Sequence, residues 1–227
     1  MRPVGGAAPV PRGTAAPAPD CPLCPRLAAF REANRARYAD FHNAPVPSFG
    51  SAGARLLIVG LAPGLKGANQ TGRPFTGDYA GDLLYRTLDR FGFARGPYGR
   101  RADDGLELVG CRITNAVRCV PPENKPTSAE IRTCRAFLAA ELAGLTRLEA
   151  VLALGTVAHG AVLAALGLTK SRYPFGHGAL HELPNGLLLA DSYHCSRYNT
   201  NTRRLTVEMF EAVFAELKAR FGYTKGP

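Results

Sequence analysis

Three short stretches of the sequence bring together glycine, carboxamide, imidazole, carboxylate and hydroxyl groups in spacings that could act on a bound ring. The first is Gly60-Leu61-Ala62-Pro63-Gly64-Leu65-Lys66-Gly67-Ala68-Asn69, followed by Thr71-Gly72-Arg73-Pro74-Phe75-Thr76-Gly77-Asp78. Its five glycines let the backbone approach a ligand closely, but it lacks the Gly-Lys-Ser/Thr ending of a phosphate-binding loop and the spacing of a dinucleotide fingerprint. A tight structural turn is the plainer alternative. The second stretch, Thr114-Asn115-Ala116-Val117-Arg118-Cys119-Val120-Pro121-Pro122, sets an Asn where a strand is expected to end. There its carboxamide could offer a donor and an acceptor to the edge of a base, or simply bond its own loop. The third is Asp191-Ser192-Tyr193-His194-Cys195-Ser196-Arg197-Tyr198-Asn199-Thr200, in which His194 could stabilise developing negative charge or be merely structural.

Cysteines stand at 21, 24, 111, 119, 134 and 195. The Cys21-Pro22-Leu23-Cys24 pair, with Cys119 and Cys134 fourteen residues apart, offers four thiolates on two connected segments, a set that suits zinc or an iron–sulfur cluster. Spacing alone does not choose between them. Cys111 lies inside an apolar strand, and Cys195 reads as a bystander beside the site. A zinc-dependent base deaminase is excluded by the lack of a His-x-Glu with a downstream Pro-Cys-x-x-Cys.

The elements that must position these groups alternate in type. Arg55 to Leu61 reads as a buried strand, Asp82 to Phe91 as a helix, Leu106 to Val117 as a second strand, and Thr127 with Glu130 as a capping box opening a helix. Glu149 to Leu154 and Val157 to Leu166 repeat strand and helix. Two apolar pieces, 179–183 and 187–191, flank an Asn185–Gly186 turn, and Leu205, Met209, Val213, Leu217 and Phe221 mark a last amphipathic helix. A helix rich in Arg carries Leu27, Phe30 and Tyr38. This alternation predicts an α/β fold with a mainly parallel sheet covered on both faces, and it sets the three motifs at the carboxyl ends of strands. The chain of 227 residues, 46% apolar, suits one core, expected over 21–227 behind an Ala/Pro/Gly-rich disordered tail at 1–20. No apolar run spans a bilayer and no export signal is visible, which predicts a soluble, cytoplasmic protein; a monomer is expected. The net charge of +10 suits a polyanionic partner such as nucleic acid.

Taken in order, the three motifs, with Asn124-Lys125-Pro126 trailing the second, resemble the uracil-DNA glycosylase superfamily. Within it they are most similar to the iron–sulfur-containing family 5, or type b. Family 4 has an acidic residue ahead of Ala-Pro-Gly, where this chain has Leu61. The resemblance implies a three-layer α/β/α sandwich around a short, mainly parallel four-stranded sheet. It also implies a [4Fe-4S] cluster on Cys21, Cys24, Cys119 and Cys134, and excision of uracil from double- or single-stranded DNA, with hypoxanthine and other deaminated bases as further substrates. In this picture Gly60, Ala62 and Gly64 shape the base pocket, Phe75 stacks on the base, Asn115 reads its polar edge and His194 stabilises the departing anion. Leu61 cannot activate water, which leaves Asp78 as the candidate. Arg73, Lys125, Ser196, Arg197, Tyr198 and Asn199 are expected at the DNA, with Arg203 and Arg204 nearby, and the segment after His194 is expected to fill the gap left by a flipped nucleotide. The rival reading is a non-catalytic, metal-stapled nucleic-acid-binding module.

Overall fold

Runs of apolar residues too short for helices, each followed by a helical segment, build a sheet that is buried on both faces. The structure, a computed structural model, describes residues 16–221. In chain order the elements are α1 (Pro25–Arg37), β1 (Phe49–Gly50), β2 (Leu56–Gly60), the single turn α2 (Ala68–Thr71), α3 (Tyr79–Phe91), β3 (Ala94–Arg95), β4 (Glu107–Leu108), β5 (Cys111–Asn115), α4 (Ser128–Gly144), β6 (Ala150–Leu154), α5 (Thr156–Ala165), β7 (Leu180–Glu182), β8 (Leu188–Ser192), α6 (Arg197–Asn201) and α7 (Val207–Phe221). The main sheet has the order β1-β5-β2-β6-β8-β7. Its four inner strands are parallel, as expected, and β1 and β7 extend it as short antiparallel edges. Side-chain alternation sorts the layers: Leu56 and Ile58 pack with α3 and α7, whereas Leu57 and Val59 pack with α4 and α5.

Several local expectations hold in detail. Thr127 accepts from the Glu130 backbone N–H while Glu130 accepts from Thr127 N at 2.7 Å, the reciprocal pair of a capping box. β7 and β8 form the antiparallel hairpin around Asn185–Gly186, with Gly186 at φ +79°. The span from Leu106 to Val117 is not one strand: Gly110, at φ +65°, separates β4, which pairs with β3 in a small ribbon, from β5 in the main sheet. Residues 1–15 of the expected tail lie outside the described residues. Pro17 and Asp20, placed in that tail by sequence, instead lie against the protein: Pro17 beside the cysteines, and Asp20 paired with Arg35 at 2.7 Å. No helix among the described residues is long and apolar enough to cross a membrane.

One buried carboxylate ties α4 to the strand that carries Asn115. Glu141 pairs with Arg118 and, at 2.7 Å, with Arg112, and it accepts from the Thr114 hydroxyl at 3.0 Å. Arg118 also donates to Ser48 Oγ at 2.7 Å. Burial pushes the Glu141 carboxyl up, but the two guanidiniums outweigh it and hold the group below the ordinary range. Removing one partner of such a pair strands a buried charge. We therefore expect Glu141→Gln to lower unfolding free energy by about 3–5 kcal/mol, read from the urea midpoint at neutral pH; a midpoint equal to the wild type would refute the assignment.

Candidate active site

The parallel register brings the first two motifs side by side: Gly60, the last residue of β2, pairs with Asn115, the last of β5. A Cβ at Gly60 would run into Asn115 Oδ1 and lie 2.5 Å from Phe75 Cζ, so only glycine lets the carboxamide and the ring close over the strand end. Asn115 is 3% exposed, and its Oδ1 has no hydrogen-bond partner. A buried acceptor left open in this way is costly unless a ligand completes it. Phe75 holds a left-handed backbone, φ +53°, unusual for an aromatic residue, and its ring stacks on His194 with centroids 5.7 Å apart.

His194 follows β8, and with Leu61, Ala62, Gly64, Asp78, Asn124, Ser196 and Arg197 it lines a cleft of about 650 Å³. That volume is in the range of small-molecule sites. Burial pushes the His194 imidazole down, against a smaller upward pull from Asp78. Asp78 caps α3: Oδ1 accepts from Gly81 N at 3.0 Å. Its Oδ2 lies against the glycine loop, 2.6 Å from where a Cβ on Gly67 would stand and 3.3 Å from one on Gly64. Gly60, Gly64, Phe75, Asp78, Asn115 and His194 therefore form one contiguous group, drawn from three strand ends.

Two of the expected DNA-facing residues point inward. Arg73 is 4% exposed; it forms a two-pronged pair with Asp104 at 2.7 Å, donates to Thr76 Oγ1 at 2.8 Å and packs over Phe49, Tyr85 and Tyr98. It is an internal strut for the loop that carries Phe75 and Asp78, and its charge is spent there. Asn199 Nδ2 donates to the His194 carbonyl at 2.8 Å, so it braces the histidine. Lys125 is exposed, with Glu123 at 3.4 Å, and Tyr198 is 72% exposed. Arg197 sits at the cleft with its guanidinium 5.4 Å from the Tyr79 ring, and Arg204 lies over Tyr193. Sequence reasoning missed Asp104, which no motif contains, and gave no role to Asn124 although it stands in the short stretch that trails the second motif.

Cys21, Cys24, Cys119 and Cys134 surround one small cavity of about 20 Å³, together with Leu27, Val117 and Phe137. Ala62 of the first motif packs on the same cluster. Burial first, and then the neighbouring thiols, push Cys24 and Cys119 up to about 12. Cys111 and Cys195 are fully buried elsewhere in the core, Cys195 Sγ donating to Ala80 O.

A cleft at the carboxyl ends of a parallel sheet, with an imidazole and a fixed carboxylate on its wall and an aromatic ring and an open carboxamide packed behind them, defines a class of α/β proteins suited to hold a planar polar ring. Residues 47–218 match the family model described as the uracil DNA glycosylase superfamily. The type-5 uracil-DNA glycosylase of Thermus thermophilus is 48% identical over 207 residues, covering 89% of this chain and 94% of the relative. That of Mycobacterium tuberculosis is 44% identical over 210 residues, covering 89% and 78%. A type-4 enzyme of Pyrobaculum aerophilum is 33% identical over 123 residues, covering 54% and 55%. The chain belongs to the uracil DNA glycosylase superfamily.

The Arg73–Asp104 strut has a pH signature. Burial pushes the Asp104 carboxyl up, but Arg73 and the N–H groups of Leu106 and Gly99 overcome this and hold it well below the ordinary range. A carboxylate depressed in the folded state adds stability that is fully present above its unfolded value, about 4, and is lost as pH falls below it. We expect Asp104→Asn to cost about 3–5 kcal/mol at pH 7, with the gap to wild type shrinking progressively in denaturation curves below about pH 4. A gap that is constant with pH would contradict the strut.

Proposed function

We propose that this protein is a monofunctional DNA glycosylase of base excision repair, which flips uracil out of DNA and hydrolyses its N-glycosidic bond to leave an abasic site. The observation that carries the reading is the open Asn115 Oδ1 held beside the Phe75–His194 stack. A base in a duplex shows neither its pairing edge nor its glycosidic bond to a protein, so it must leave the stack. In the cleft Phe75 supplies the ring face, and Asn115 meets the N–H and carbonyl of the pairing edge, its free oxygen accepting.

Burial keeps the His194 imidazole neutral near pH 7, so it donates an N–H to a ring carbonyl without giving up its proton. As the C–N bond breaks, its electrons leave with the base, and this donation stabilises the resulting anion. The sugar acquires oxocarbenium character, water adds to the anomeric carbon, and Asp78 Oδ2 takes the water's proton. Asp78 Oδ1 is already committed to Gly81, which fixes the carboxylate's direction. The same pocket chemistry extends the reading to hypoxanthine, whose edge also carries an N–H beside a carbonyl. Lys125, Ser196 and Arg197 are assigned to phosphates, and exposed Tyr198 on α6 to the gap left by the flipped nucleotide.

We assign a [4Fe-4S] cluster to Cys21, Cys24, Cys119 and Cys134. Thiols this buried and mutually close need a cationic partner to exist as thiolates. The four cysteines share one apolar cavity, and the resemblance to family 5 favours a cluster over a single zinc ion there. Bound there, the cluster would tie α1 to α4 and to the loop after β5.

Two expectations follow. Incubation with a uracil-containing duplex followed by alkali should give strand breaks, and Asp78→Asn should slow single-turnover excision by about 100-fold or more; binding without breaks would favour the non-catalytic alternative, and a wild-type rate in the variant would remove Asp78 from the reaction. Cys24→Ala should lose iron and broad visible absorbance and lower Tm by about 5 °C or more, while the variant's relative rates on uracil and hypoxanthine duplexes stay the same.

A further inference from the structure

Apart from the residues that line the cleft, three further donors converge. His159 of α5, His181 of β7 and Asp191 of β8 present ligand atoms that all lie within 4.8 Å of one another. His159 Nδ1 is 2.8 Å from Asp191 Oδ1, and His181 Nε2 is 3.6 Å from Asp191 Oδ2. His159 and Asp191 are fully buried, and the His181 side chain is 15% exposed.

His159 Nε2 lies 2.8 Å from the Tyr173 carbonyl oxygen, which can only accept, so this nitrogen carries a hydrogen. The other ring nitrogen, Nδ1, faces a carboxylate oxygen of Asp191. His181 Nε2 is buried and has no hydrogen-bond partner. One cation between the three groups satisfies all of them. Donors around a tetrahedral zinc-like ion, each about 2.0–2.2 Å from it, stand roughly 3.4 Å apart, and the two measured separations fall on either side of that value. The His159–Tyr173 bond is also the outer contact expected of a metal-bound imidazole, fixing its tautomer and direction.

We propose that His159 Nδ1, His181 Nε2 and the Asp191 carboxylate form a binding site for one divalent transition-metal ion of the zinc class, separate from the four cysteines. Two imidazoles and a carboxylate are a donor set such ions take, with water completing the shell. The ion would join α5, β7 and β8 three residues ahead of His194. The neighbouring contacts brace the same segment: Gly176 N donates to Asp191 Oδ2 at 3.4 Å, and Tyr193 N donates to His177 Nδ1 at 3.2 Å.

The test uses the full-length, iron-loaded protein without an affinity tag, freed of loosely held metal and titrated with Co²⁺. One equivalent per chain should bind, with the weak visible bands of a tetrahedral nitrogen–oxygen site and without intense thiolate charge transfer, and Zn²⁺ should displace it. His181→Ala, a truncation on an edge strand, should weaken Co²⁺ at least tenfold while iron content is unchanged; Asp191→Asn should do the same where it folds. No saturable binding up to about 1 mM, an undiminished affinity in His181→Ala, or thiolate charge-transfer bands would each overturn the proposal.

Discussion

The close approach at Gly60 is the constraint on which the cleft depends. In a parallel pair, residues in register project to the same side about 4.8 Å apart, so the carboxamide of Asn115 leans across the space a side chain at Gly60 would fill. The Phe75 ring occupies the remainder of that space and carries the stack on to His194. A glycine in a strand costs about 0.5–1 kcal/mol relative to alanine. Here it lies at the last paired position of β2, where the ladder ends, so little pairing is weakened. Any larger residue would push apart the two groups whose spacing defines the site.

Holding those groups still falls to buried charge pairs on either side. Arg73 and Asp104 anchor the loop with Phe75 and Asp78, while Glu141, with Arg118 and Arg112, anchors the strand and loop with Asn115. Buried pairs of this kind contribute little net stability over apolar packing, since desolvation offsets most of the attraction. What they supply is direction: a two-pronged guanidinium–carboxylate contact has one geometry, which fixes the loop it belongs to.

The parallel strands, the capping box, the β7–β8 hairpin and the grouping of four cysteines were legible because each rests on a local rule, whether apolar run length, a Thr-x-x-Glu spacing, an Asn-Gly turn or a Cys-x-x-Cys pair. The direction of an arginine has no local rule. Arg73 and Arg197 both follow small residues in motif loops of a chain with net charge +10, yet one is sealed beneath three aromatic rings and the other lines the cleft. Only the partner decides, and Asp104 is far along the chain from Arg73. The edge strand β1 is hard to read for a related reason, being too short to show a period. The trio of His159, His181 and Asp191 comes from a helix and two strands with no motif spacing, so it emerges only in three dimensions.

The direction of Asp78 and the burial of His194 complete the logic of the proposed reaction. Asp78 caps α3, and its bond from Gly81 N fixes the direction of the carboxylate. A cationic imidazole close by would pair with that carboxylate and weaken its ability to take a proton from water. Burial prevents this by disfavouring the charged imidazole, and the stack with Phe75 keeps the ring beside the base position. In the proposed reaction the carboxylate group then serves the sugar side, where positive charge develops, and the imidazole serves the base side, where negative charge develops. That division of charge matches the polarisation of a breaking glycosidic bond, and it rests on where each side chain is buried.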